Sequence, residues 1–95
     1  MEKQDIFTLI EGQFSPTEYR ELMLSIFKSK IRFHRRKNFS TKERFGKDDE
    51  NAISRMLELQ ETLASIFKVI ETAEKENQVL EIRAEIIFNF TNSTP

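Results

Sequence analysis

Ninety-five residues suffice for one domain with one modest core, so residues 1–95 are read as a single domain. The absence of cysteine excludes disulfides, thiolate metal sites and a thiol nucleophile, and a single histidine, His34, excludes paired-histidine metal motifs. A formal net charge of −1 hides two electrical ends: residues 28–47 carry nine Lys/Arg against one acid, Glu43, and the remainder carries −9.

Hydrophobic residues at 38%, charged residues at 33%, and only two Gly and two Pro match a helix-rich globular chain rather than a disordered one. No signal peptide or membrane-spanning run is read, and a cytoplasmic setting is expected. No cofactor is implied.

Residues 4–14, QDIFTLIEGQF, are β-branched and aromatic and close on Gly12, so a strand is predicted. Strict alternation would put Ile6, Thr8 and Ile10 on one face and Phe7, Leu9 and Glu11 on the other, leaving neither face cleanly wet.

Ser15-Pro16-Thr17-Glu18 is a helix start: Ser15 can accept an orphan N–H, Pro16 needs none, and Glu18 completes a capping box. The helix is expected to run to about Lys37. Its apolar face takes Tyr19, Leu22, Met23, Ile26, Phe27, Ile31 and Phe33, with Leu24 widening it. Lys30 and His34 fall within that face, one turn apart. The apolar period then fails, and residues 37–47, KNFSTKERFGK, read as a long connection pinned by Phe39 and Phe45.

Asp48 or Asp49 should cap a second helix running to Asn77. Its apolar residues, from Ala52 to Ala73, cover roughly 240° of the circumference, against a stripe of little more than about 100° on an ordinary surface helix. More than one neighbour is needed to cover it. The tail then changes period: Leu80, Ile82, Ala84, Ile86, Phe88 and Phe90 alternate with Glu81, Arg83, Glu85, Ile87, Asn89 and Thr91, a strand with one dry face. Residues 92–95 should fray.

The fold class expected is therefore α+β, in the order β-α-α-β: a long antiparallel helix hairpin packed on an antiparallel two-stranded ribbon, the helices covering one of its faces. Because two strands alone are marginal, pairing across a two-fold axis would extend the ribbon to four strands in a homodimer.

The pieces FSPTE, KIRFH, NFS and RFGKDD resemble the pattern FSPxE…KIxFH…NFS…RFGKxD of a small bacterial family without an assigned activity. The resemblance spans about half of the chain and implies a short stand-alone bacterial protein; it carries over no functional residue.

Three candidate sites follow from the residues. Lys30 with His34 could exchange protons with a substrate, but spacing supplies no nucleophile or acid beside them, and a snorkelling lysine next to a helix-end histidine is the simpler account. Arg44 and Lys47 around Gly46 could meet a phosphate at the second helix start, where Asp48 and Asp49 would repel it. The basic window, above all Lys30, His34, Arg35, Arg36, Lys37, Arg44 and Lys47 with Phe33, Phe39 and Phe45 between, permits nucleic-acid contact. The leading expectation is a non-enzymatic homo-oligomeric structural or interaction protein with itself as partner and no membrane partner; a nucleic-acid accessory protein is the alternative.

Overall fold

The computed structural model describes residues 3–93. Four elements follow one another: β1 (Lys3–Gln13), α1 (Pro16–Phe45), α2 (Glu50–Lys75) and β2 (Glu81–Phe90). The helices form a hairpin and the strands pair antiparallel, as the α+β reading predicts. Asn92 and Ser93 lie outside regular structure, while Thr94 and Pro95, for which fraying is also expected, fall outside the described residues.

The start of α1 is built as its sequence dictates. Ser15 Oγ accepts from the Glu18 N–H at 3.2 Å and Glu18 Oε1 accepts from the Ser15 N–H at 2.9 Å, with Pro16 in the first turn.

The far end of α1 differs from expectation. Residues 37–45 are not a connection: the helix continues to Phe45, and only residues 46–49 link it to α2. The cause is a change in what fills the helix contact. Leu24, Phe27, Ile31, His34, Asn38 and Thr41 recur at alternating steps of four and three, and all are buried or half-buried. The stripe thus turns polar after Ile31, which ends the apolar period without ending the helix. Asn38 replaces apolar contact with polar contact: its Oδ1 accepts from the Asp49 N–H at 2.6 Å and its Nδ2 donates to Asp48 at 3.3 Å. Gly46, at φ 72°, stops the helix in the left-handed region that favours glycine, and its N–H returns to the Lys42 carbonyl at 2.8 Å. Phe39 and Phe45, expected to pin a loop, are instead exposed helical side chains, at 62% and 69%.

Asp49 caps α2 by accepting from the Ala52 N–H at 3.1 Å. At the other end Asn77 takes a positive φ of 53°, and the Gln78 N–H closes on the Ala73 carbonyl at 2.8 Å, a left-handed stop that turns the chain into β2. Between these caps Ala52, Met56, Leu59, Leu63, Ile66, Ile70 and Ala73 form an unbroken coiled-coil-like seam, all buried or half-buried. Tyr19, Met23 and Ile31 are the buried residues α1 sets against it. Arg20 and Glu74 bridge the open end of the hairpin at 2.7 Å, an exposed pair that solvent screens.

In the ribbon, Lys3 pairs with Phe90 and Gln13 with Glu81, with a bulge between Thr8 and Ile10. Leu9 is the extra residue, and it changes the facing expected of β1. Directly paired residues share a face, so Ile10 joins Phe7 beside Ala84 and Ile86, while Thr8 and Ile6 turn to the other face beside Glu85 and Ile87. The dry face thus runs along both strands, and the edge-to-face contact of Phe7 with Phe88, 6.1 Å between centroids, lies on it.

Helix and ribbon meet at an elbow. The Tyr19 hydroxyl donates to the Leu80 carbonyl and lies 3.5 Å from that of Gly12, and its ring meets Phe14 edge-on at 5.4 Å. The chain extends 51 × 40 × 15 Å, one thin slab in which strand packs chiefly with strand and helix with helix. The helices therefore cover only the near part of the dry face, around Ile10, rather than its full length.

Candidate interaction surface

Three surfaces could carry function: the outer ribbon, the second flank of α2, and the basic half of α1.

On the ribbon, burial falls along the dry face with distance from the elbow. Ile10 is 9% exposed and Ile82 and Ala84 are half-buried, whereas Phe7, Ile86, Phe88 and Phe90 stand 56%, 40%, 54% and 48% exposed. The tip is closed by the Lys3 ammonium, 5.1 Å over the Phe90 ring. The opposite face is polar, with Gln4 donating to Asn89 at 2.7 Å, Gln13 donating to Glu81 at 3.0 Å and Arg83 paired with Glu85 at 3.0 Å; only the Ile6 and Ile87 pair interrupts it. One apolar patch therefore continues from the core into solvent.

On α2, one residue along from the seam, Ile53, Leu57, Gln60, Ala64 and Phe67 repeat the same spacing. Ile53 and Phe67 are half-buried, while Leu57, Gln60 and Ala64 are exposed. The wide apolar arc of this helix is thus covered by α1 on one side only, and Val69 is exposed on the other flank.

The helical continuation of α1 redistributes the basic residues. By helical spacing, Lys28, Arg32, Arg35 and Lys42 share one flank with Phe39; Arg36 lies toward the outer face; Lys30, Lys37 and Arg44 share the opposite flank with Phe33. Lys47 lies in the connection, and Lys42 approaches Asp48 at 3.8 Å. The residues expected to form one basic surface are split between two. Lys30 is exposed and His34 is half-buried in the helix contact with its ring edge-on to Phe33, so the pair does not converge on a pocket. At the start of α2 the Asp49 carboxylate already takes the free Ala52 N–H, which leaves less for a phosphate.

Two clefts at the elbow, one beside Phe14 and Val79 and one beside Met23 and Ile66, hold about 150 and 210 Å³. Both fall short of the roughly 300 Å³ typical of ligand pockets, and the larger hollows, about 370 Å³ beside Phe14 and Leu22 and about 400 Å³ beside Arg55 and Thr62, are open grooves on the surface. Among the described residues no group of three or more His, Asp or Glu is placed to hold a metal ion, and no helix is long and apolar enough to cross a membrane.

Sequence reasoning missed the outer ribbon as a site because the helices were expected to cover it. The register places Asp5 and Lys3 opposite Phe88 and Phe90, so charged residues share the outer dry face, a relation between the strands that the sequence of neither one displays. No family model, curated protein or solved structure matches the chain.

Proposed function

We propose that the chain is a non-enzymatic, self-associating module that works through protein contacts, its first partner being a second copy. The observation that carries this is surplus surface. A compact protein of 11.3 kDa exposes about 5,700 Å², whereas this chain exposes 7977 Å². Its radius of gyration is 17.3 Å, against about 12 Å for a compact domain of this length. Exposed apolar side chains stand on the outer ribbon, at Phe7, Ile86, Phe88 and Phe90, and on the second flank of α2 at Leu57. A patch that continues a domain core outward resembles an obligate interface more than an ordinary surface. Extending the ribbon to four strands would also relieve the marginal stability of a two-stranded sheet.

Size-exclusion chromatography with light scattering at micromolar concentration tests this. Twice the chain mass of 11.3 kDa is expected; a clean monomer overturns it.

The flank of α1 carrying Lys28, Arg32, Arg35 and Lys42 around exposed Phe39 supports a second reading, a nucleic-acid accessory role in which cations meet phosphates and the ring meets an unstacked base. Binding to single-stranded nucleic acid that weakens linearly in log salt is its expected signature. No binding at low salt removes it.

A further inference from the structure

We propose, building on the self-association reading, that the joining element is the outer edge of β2, which pairs antiparallel with β2 of a second copy about a two-fold axis at Ala84.

The ribbon has two free edges, and only one is guarded. β1 carries the bulge at Leu9, Gly12 at φ 134°, and the charges of Lys3 and Asp5 on the dry face, whereas the charges of β2, Glu81, Arg83 and Glu85, all lie on the polar face. Bulges and charges pointing to the inward face are among the devices by which sheets discourage further pairing. β2 is ten residues long and free of Gly, Pro and Lys, and the register shift of the sheet falls on β1.

The register is narrowed by geometry. Outward-pointing N–H groups recur at every second residue, so an antiparallel two-fold must pass through a residue, and every allowed register keeps the dry faces aligned. Charge then selects among them. An axis at Arg83 or at Glu85 sets that residue against its own copy. An axis at Ile86 or Ile87 pairs no charges, and an axis at Ile82 pairs Arg83 with the partner's Glu81 but overlaps only residues 81–83 of the two strands. An axis at Ala84 sets Arg83 against the partner's Glu85 twice, Ile82 against the partner's Ile86 twice, and a small residue against itself at the centre.

The same register accounts for the uncovered apolar surface. Leu80 at one elbow stands opposite the partner's Phe88, and both hairpins lie on the dry side of a four-stranded sheet. Each elbow thereby comes to the part of the other ribbon that its own hairpin leaves open, around Phe7, Ile86 and Phe88.

The chain has no cysteine, so a single introduced thiol reports cleanly. Residues facing their own copy across the axis have Cα atoms about 4.5–5.5 Å apart, within disulfide range. Ala84→Cys should oxidise to a covalent dimer, while Thr8→Cys on the guarded strand should not. A dimeric wild type whose Ala84→Cys variant stays unlinked overturns the register and leaves self-association standing; a monomeric wild type overturns both.

Charge reversal gives a second measurement. Arg83→Glu and Glu85→Arg should each weaken the dimer about tenfold, with the fold monitored by circular dichroism. An equimolar mixture of the two should recover wild-type affinity. Arg83 and Glu85 also pair within the strand, but each single variant loses that pair, so only pairing between chains restores binding. No recovery in the mixture overturns the proposal.

Discussion

The phenol of Tyr19, in the first turns of α1, donates to the carbonyl of Leu80 at the base of β2, and this bond joins hairpin to ribbon. Tyr19 is 4% exposed. Tyr19→Phe keeps the ring and removes only the hydroxyl, so a loss of about 0.5–1.5 kcal/mol is expected. Tyr19→Ala also opens a cavity and should cost about 3–5 kcal/mol. Urea unfolding of both variants checks the ratio; equal losses would mean that the hydroxyl rather than the ring holds the elbow.

Two carboxylates give the fold an acid-sensitive limit. The Ser15 backbone N–H holds Glu18 below its ordinary value of 4.5, and the hydrogen bond from Arg20 holds Glu74 below the same value. A depressed folded pKa contributes stability above pH 4.5 that is lost as pH falls through the folded value. Denaturation midpoints measured from pH 7 to pH 3 should therefore fall less steeply for the Glu18→Gln, Glu74→Gln double variant than for wild type. Parallel curves would deny these pairs a role in acid stability.

Leu59 and Leu57 lie two residues apart on α2 and should respond oppositely. Leu59, 5% exposed in the seam, should cost about 2–5 kcal/mol as Leu59→Ala. Leu57, 55% exposed on the second flank, should change the stability of the separated chain by no more than about 0.5 kcal/mol as Leu57→Ala. If that flank is covered by another copy, light scattering should show Leu57→Ala weakening the assembly. A large loss of monomer stability would instead place Leu57 in the core.

Gly46→Ala isolates backbone conformation, because an added Cβ meets nothing within 4 Å while φ stays at 72°. A cost of about 1 kcal/mol is expected from the left-handed conformation alone. A neutral result in thermal unfolding would show that the turn relaxes.

What the sequence displays well is what neighbouring residues decide among themselves. The Ser15–Glu18 box, the Asp49 cap and the alternation of β2 are local patterns, and the structure realises each of them. The last turns of α1 were hidden because His34, Asn38 and Thr41 occupy a helix contact with polar side chains, which an apolar periodicity cannot register. The bulge at Leu9 was hidden for a different reason: it is a relation between β1 and β2, and nothing within β1 announces it. The candidate basic surface was legible as charge but not as shape. Once residues 37–45 are helical, Lys42 and Arg44 face away from each other, and one window becomes two flanks.

The extra residue at Leu9 reverses the parity of β1 halfway along its length. Ile6 and Ile10, both even-numbered and chemically identical, serve opposite sides of the sheet: Ile10 plugs into the elbow, and Ile6 stands beside Ile87 on the far side. Excising that single leucine would leave every other side chain unchanged while exchanging inside for outside along half a strand, so the orientation of the ribbon is written in residue count as much as in residue type.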